Sequence, residues 1–164
     1  MDAPVDADRI EAWASMAHAH AALTEALEGH LQEDGGLSLA WYEVLARLST
    51  APERSLRMHD LARSLFLSRS GLTRLVDRME AAGLVRRRSC PADRRGTFAE
   101  MTEEGRRTLE GAAPVFVAAL EEHFGRLLST GDVRALRQGF EKIIEASGRC
   151  LRAEAADAGP TAPA

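Results

Sequence analysis

The side chains in this sequence best equipped for chemistry are its arginines, and they are unevenly distributed. Between Arg54 and Ala99 stand eleven arginines against four acids, Asp60, Asp77, Glu80 and Asp93, although the whole chain has a formal net charge of −4. Three runs concentrate them. The first is Ser68-Arg69-Ser70 with Thr73-Arg74, the second Arg86-Arg87-Arg88, the third Asp93-Arg94-Arg95-Gly96. A guanidinium binds anions: it neutralises a phosphate, or it grips the two acceptors on the edge of a guanine with a pair of hydrogen bonds. One basic region on an acidic body is the charge footprint of a protein that docks on nucleic acid at one face. Lys142 is the only lysine, so part of the arginine abundance is compositional.

Other chemistries lack their frames. There is no G-x-S-x-G, Walker or H-E-x-x-H motif, so no enzyme activity is expected. Cys90 and Cys150 have neither metal-ligand spacing nor the count of a disulfide framework. His18 and His20 are two apart on a helix and diverge, His59 adjoins Asp60, and His30 and His123 are isolated. No metal site or cofactor is expected; a metal sensor would require distant segments to converge. Redox sensing at Cys90 would need a lowered thiol pKa, which nothing in the sequence indicates.

The elements that must position the arginines follow from apolar spacing. Met58, Leu61, Ala62 and Leu65 fall on one face of a short helix, and Phe66-Leu67 break the pattern. Ser68 is placed to cap a second helix, in which Leu72, Leu75, Val76 and Met79 form the buried stripe. Ser68, Arg69, Ser70, Thr73 and Arg74 lie mostly off that stripe, at the helix's exposed start, the end that faces base edges in a major groove. Gly83 stands where a left-handed residue ends the helix. Leu84–Ser89 and Thr97–Met101 read as a hairpin, joined by Cys90–Gly96, whose Pro, Asp and Gly suit a turn. Adjacent Arg94 and Arg95 at its tip would repel each other unless an anion lay between them, and the minor groove supplies one. Ser55-Leu56-Arg57 adds a brief strand. The expected fold is therefore mainly α with a small β-hairpin wing: a winged helix-turn-helix core flanked by N- and C-terminal dimerisation helices.

The flanks are long amphipathic helices. Arg9 to about His30 carries Ile10, Trp13, Met16, Leu23, Leu27 and Leu31, and Leu39–Leu48 turns Val44, Leu45 and Leu48 inward. Thr102-Glu103-Glu104 starts a helix bearing Leu109, Phe116, Leu120 and Phe124, which Pro114 is expected to kink or interrupt. A last helix from about Asp132 shows Val133, Leu136, Phe140, Ile143 and Ile144. The organisation reads as 9–38, an N-terminal helix of the dimerisation region; 39–102, the DNA-binding core; 103–150, C-terminal dimerisation helices; and 151–164, a disordered Ala/Gly/Pro-rich tail. The small core cannot cover every apolar stripe, so a two-fold homodimer is expected, presenting two recognition helices roughly 34–36 Å apart to a palindromic double-stranded DNA site. With 45% hydrophobic residues, no apolar run of membrane length and no signal peptide visible at the acidic start, the chain is expected to be cytoplasmic, without a membrane partner.

This arrangement resembles the MarR (multiple antibiotic resistance regulator) family of bacterial transcription factors. The resemblance spans about Arg9 to Gly148. It is carried by Asp60-Leu61-Ala62, Ser68–Asp77, Glu80–Val85, Asp93-Arg94-Arg95-Gly96 and Met101–Gly105, where Met101 stands in place of the family's more usual Leu. It implies a triangular homodimer built by the first and last helices, and major-groove reading by the helix beginning at Ser68. It also implies a wing in which Arg95 enters the minor groove while Asp93 holds its guanidinium. Members commonly repress transcription and release DNA when a small, often aromatic anion binds between the lobes; some respond instead to oxidants or metals. On this reading Ser68, Arg69, Ser70, Thr73 and Arg74 meet bases, while Arg57, Arg86, Arg87 and Arg88 meet phosphates. Trp13, His20, Trp41 and Tyr42 are candidates to line an effector cleft, against the plainer reading of both tryptophans as core or dimer residues. The alternatives are a winged-helix protein-interaction module without operator binding, needing no arginines at its wing tip, or a redox- or metal-responsive regulator.

Overall fold

The computed structural model describes residues 6–90 and 93–146, without the side chains of Cys90 and residues 93–96. Pro91, Ala92, Cys150 and the tail expected from 151 lie outside the described residues. In order, the elements are α1 (Ala7–Glu33), α2 (Leu39–Ser49), a 3-10 turn (Pro52–Arg54), β1 (Ser55–Arg57), α3 (Met58–Ser64), α4 (Arg69–Ala81), β2 (Val85–Cys90), β3 (Asp93–Met101), α5 (Glu103–His123), a second 3-10 turn (Gly125–Leu127) and α6 (Thr130–Ala146). The strands form one antiparallel sheet in the order β1-β3-β2. The mainly α fold with its β-hairpin wing is thus as the spacing predicts.

The core sits where α2, α3, α4 and the sheet meet the end of α1 and the buried side of α5. Leu31, Val44, Leu45, Leu48, Leu61, Leu72, Val76, Met79 and Val85 are its fully buried large side chains. Each contributes roughly 1.5–3 kcal/mol relative to exposure. Helix ends are held by specific acceptors. Ser38 accepts from the Trp41 N–H, and the Glu28 carboxylate of α1 accepts from the Leu39 N–H at 2.6 Å, which seats the start of α2 on α1. Ser129 and Asp132 cap α6 reciprocally: the Ser129 Oγ accepts the Asp132 N–H, and the Asp132 carboxylate accepts the Ser129 N–H.

The two helices of the helix-turn-helix both end in left-handed residues. After α4, Gly83 has φ +75°, its N–H reaches the Glu80 carbonyl, and the Leu84 N–H reaches that of Met79. This paired closure is the usual use of glycine past a helix end. After α3 the same closure is made by Phe66, φ +55°, with its N–H on the Arg63 carbonyl and the Leu67 N–H on that of Ala62. The break read at Phe66-Leu67 is real, and it places a bulky side chain in a conformation that costs most residues energy.

Three expectations need correction. Pro114 does not interrupt α5, which runs unbroken from Glu103 to His123. The proline removes one helical hydrogen bond, but Ala112 and Ala119 on either side are buried, and the Tyr42 ring stacks on Phe116 at 4.4 Å, so packing holds the helix across the gap. The loop read as Cys90–Gly96 is shorter than expected. β3 begins at Asp93, which pairs with Cys90, while Ser89 pairs with Thr97, so β3 carries its extra residues as a bulge. Finally, His30 and His123, isolated in the sequence, meet where α1 and α5 end, with their Nε2 atoms 3.1 Å apart.

One contact ties α4 and the wing to α5. Thr102 caps α5 by accepting the Gly105 N–H at 3.0 Å, and donates its hydroxyl to the Gly83 carbonyl at 2.7 Å; its own N–H bonds the Leu84 carbonyl. The approach is so close that a Cβ on Gly105 would stand 2.1 Å from the Leu84 oxygen and 3.1 Å from Leu45 Cδ2. Gly105→Ala is therefore expected to destabilise the fold by about 1–3 kcal/mol, because backbone must move to admit the methyl. At Gly111, in the same helix, an added Cβ meets nothing within 4 Å, and Gly111→Ala should stabilise by roughly 0.5–1 kcal/mol through helix propensity. Urea unfolding of the two variants should move in opposite directions.

Candidate nucleic-acid interface

Helix α4 is divided cleanly between two faces. Leu72, Leu75, Val76 and Met79 are buried, whereas Ser68, Arg69, Ser70, Thr73, Arg74, Asp77 and Arg78 are exposed. The hydroxyls at its start are already engaged. Ser68 Oγ caps the helix by accepting the Gly71 N–H at 3.0 Å and lies 3.3 Å from Ser70 Oγ, and Thr73 donates its hydroxyl to the Arg69 carbonyl at 2.8 Å. Ser68 thus has a structural duty first. Arg69 and Arg74 have no ion pair among the described residues, and both guanidiniums stand free at the exposed start of the helix. A cleft beneath this turn is lined by His59, Ala62, Arg63, Phe66, Leu67, Ser68 and Arg69.

The run Arg86-Arg87-Arg88 does not form a single patch, because a strand turns successive side chains to opposite faces. Arg87 lies on the inward parity with Val85, and its cross-strand partner Ala99 is buried. Its Nη1 sits 2.6 Å from Asp77 and 2.8 Å from Glu80, its Nη2 donates to the Thr73 carbonyl at 3.1 Å, and its backbone N–H donates to Glu80 Oε1 at 2.8 Å. Arg87 therefore clamps the wing to α4. Sequence reading grouped it with the phosphate-facing arginines and missed this role; the two-residue period of the strand was the signal for it.

Arg86 and Arg88 share the outer face with Phe98 and Glu100. The Arg86 Nη2 is 2.5 Å from Glu100, and Arg88 reaches Glu100 at 3.3 Å and Glu53 at 3.7 Å. The Arg86 hydrogen bond holds the Glu100 carboxyl below the ordinary glutamate range and raises the pKa of Arg86 in turn. Arg57 on β1 and Arg88 on β2 both lie over the Phe98 ring, 5.3 and 5.5 Å from its centre, as the register Arg57↔Phe98↔Arg88 requires. Such contacts contribute about 0.5–1 kcal/mol each at exposed sites and restrict where the guanidiniums can point. The backbone of Asp93, Arg94 and Arg95 belongs to β3 at the wing's outer end; their side chains lie outside the described residues.

The candidates for an effector cleft fare differently from one another. Tyr42 is a core residue, stacked on Phe116, and burial pushes its hydroxyl pKa up. Trp41 is partly buried against the core. Trp13 is 66% exposed and His20 is exposed, both on α1. Burial pushes the Glu43 carboxyl on α2 up, and His20 across from it on α1 offsets part of that push. No helix among the described residues is long and apolar enough to cross a membrane.

A profile described as the MarR family matches residues 35–96, the span from the start of α2 to the wing. The transcriptional regulator HosA of Escherichia coli is 42% identical over 60 residues, 37% of this chain; the match spans 44% of HosA, under half its length. Among solved structures, AbsC, a MarR family transcriptional regulator from Streptomyces coelicolor, is 37% identical with a TM-score of 0.81 over 90% of this chain and 99% of that one. Sco3205, a MarR family transcriptional regulator of the same organism crystallised in complex with DNA, is 33% identical with a TM-score of 0.82 over 89% and 91% of the two chains. With the fold, the cationic start of α4 and the arginine-bearing wing in place, these matches lead to one conclusion: the chain belongs to the MarR family of DNA-binding transcriptional regulators.

Proposed function

We propose that the protein is a cytoplasmic, sequence-specific repressor that grips a palindromic operator as a homodimer and is released by a small aromatic ligand. The observation that carries this reading is the contrast among its arginines. Arg86, Arg87 and Arg88 are matched to carboxylates, while Arg69 and Arg74 project from the first two turns of α4 without an anionic partner among the described residues. Two unmatched guanidiniums on an exposed helix start suit the paired acceptors of guanine, worth roughly 1–3 kcal/mol of discrimination each. Ser70 and Thr73 flank them, with Ser68 as the cap that fixes their bearing. Arg57, Arg86 and Arg88 line the outer face of the wing and meet phosphate, and Arg94 and Arg95 at its end take the minor groove, with Asp93 orienting Arg95. The DNA complex of Sco3205 supports the placement by likeness.

The homodimer is supported by what the single chain leaves uncovered. Helix α6 has no buried residue, although Val133, Leu136 and Phe140 lie along one stripe of it, and Ile10, Trp13 and Met16 are likewise exposed on α1. Apolar surface of that extent, on two helices at the ends of the chain, is explained by a second copy. Trp13, His20 and Trp41 are the side chains left for an aromatic ligand, since the Tyr42 ring is committed to Phe116. A ligand held between α1 and α2 would act by shifting the separation of the two α4 helices.

Binding to a duplex taken from upstream of its own gene, followed by fluorescence anisotropy at fixed salt, tests the reading. Arg69→Ala and Arg74→Ala should each weaken operator binding about 5–150-fold, the equivalent of roughly 1–3 kcal/mol, and relax specificity at one base position. Arg95→Ala should weaken binding strongly with helix content unchanged, and flatten the salt dependence by about one unit of slope. Unchanged affinity in all three variants would leave the winged helix as a protein-interaction module. Phe140→Glu should turn a dimer into a monomer in sedimentation velocity and abolish tight operator binding; a dimer that persists would place the interface elsewhere.

A further inference from the structure

The last turn of α1 and the last residue of α5 bring together two histidines 93 positions apart in the chain. Their Nε2 atoms are 3.1 Å apart and their rings are tilted by 46°, so both nitrogens converge on one region instead of stacking. Glu122 completes the group: one ligand atom from each of His30, Glu122 and His123 lies within 4.8 Å of the others. We propose that these three side chains bind a divalent transition-metal ion of the zinc class, a site separate from the DNA-binding surface.

The geometry suits such an ion. Two metal–nitrogen bonds of about 2.0–2.1 Å at a tetrahedral angle set their nitrogens roughly 3.3 Å apart, close to the spacing already present. Two imidazoles and a carboxylate form a set that zinc accepts, whereas magnesium and calcium prefer oxygens throughout. With three protein ligands, the fourth position falls to water or to an incoming group. His30 Nδ1 lies 4.0 Å from the Asp34 carboxylate one turn along the chain, where a metal-bound imidazole can turn its remaining N–H toward an acceptor. Two helix C-termini, the negative ends of their dipoles, also meet at this point, which favours a cation. Glu122 is exposed and both histidines are half-buried, so the ion has a path from solvent.

The alternative is an imidazole–imidazole hydrogen bond, with one ring donating from Nε2 and the other accepting. The two readings part when zinc alone is offered to the chelator-stripped, full-length protein in competition with a chromophoric chelator. The site predicts one zinc per chain, and cobalt in its place should give the visible bands of a four-coordinate ion. His30→Ala and His123→Gln should each weaken zinc binding by more than the roughly 10–100-fold that loss of an outer hydrogen-bond partner costs. Glu122→Gln should weaken it less, and His59→Ala, at the helix-turn-helix, should leave it unchanged. Far-UV circular dichroism confirms that each variant is folded. No stoichiometric zinc, or zinc binding that survives His123→Gln in a folded protein, overturns the proposal. Since the readout is the metal and not DNA, its failure would leave the operator reading untouched.

Discussion

The contact on which the rest depends is the meeting of the first turn of α5 with the carbonyls of Gly83 and Leu84. Thr102 binds both segments at once, through its hydroxyl to Gly83 and its N–H to Leu84, while capping Gly105. Only glycine lets the helix come this near, since any Cβ on Gly105 would overlap the Leu84 oxygen. The left-handed turn at Gly83 is what aims those two carbonyls at α5. The orientation of α4 and the wing is therefore set by the same few atoms that launch the helix leading to α6. A displacement at the far end of α5 has a stiff route to α4 and the wing, because it crosses hydrogen bonds and backbone contact and not a flexible linker.

A second constraint is the pleat of the wing. Its alternation divides a uniform-looking run of arginines into an inward clamp and an outward pair. Arg87 spends its charge on Asp77, Glu80 and the Thr73 carbonyl, all of them on α4, so helix and wing move as one body. Arg86 and Arg88 keep a shared carboxylate, Glu100, on the outer face. Exposed pairs of this kind contribute little to stability. Their effect is positional: together with the Phe98 ring, they hold three guanidiniums over one side of the sheet at a modest energetic return. Arg69 and Arg74, without such partners among the described residues, carry their full charge outward.

Sequence was most legible where a local rule had no competitor. The caps at Ser68 and Thr102, the glycine at 83 and the apolar stripe of α4 all stand where their residue types put them, because each depends on neighbours within a few positions. The misreadings arose where a distant contact decided. Pro114 stays helical because Tyr42, from α2, lies against Phe116 two residues on. The same contact removes Tyr42 from the candidate cleft. His30 and His123 looked isolated because nothing in their own segments shows that α1 and α5 end side by side. For the arginine run the information was present in the sequence, since alternation about Val85 already turns Arg87 inward.

The uncovered stripes on α1 and α6 then bear on how regulation would work. In a single copy, the buried core reaches Leu27 on α1 and Ala119 on α5; toward its start α1 leaves Ile10, Trp13 and Met16 exposed, and α6 leaves Val133, Leu136 and Phe140 exposed. In the homodimer proposed above, a second copy seated on those faces would fix the relative position of the two α5 helices, and through the Thr102 junction the spacing of the two α4 helices. A ligand between α1 and α2, or an ion bridging His30 to His123, would act on the same lever from different points. The affinity of that dimer for DNA would be set by the fit of two heads to one helical repeat, so a small change in their spacing would be enough to lose one set of contacts. In that dimer, rigidity within each head and adjustability between the heads would come from different parts of the chain.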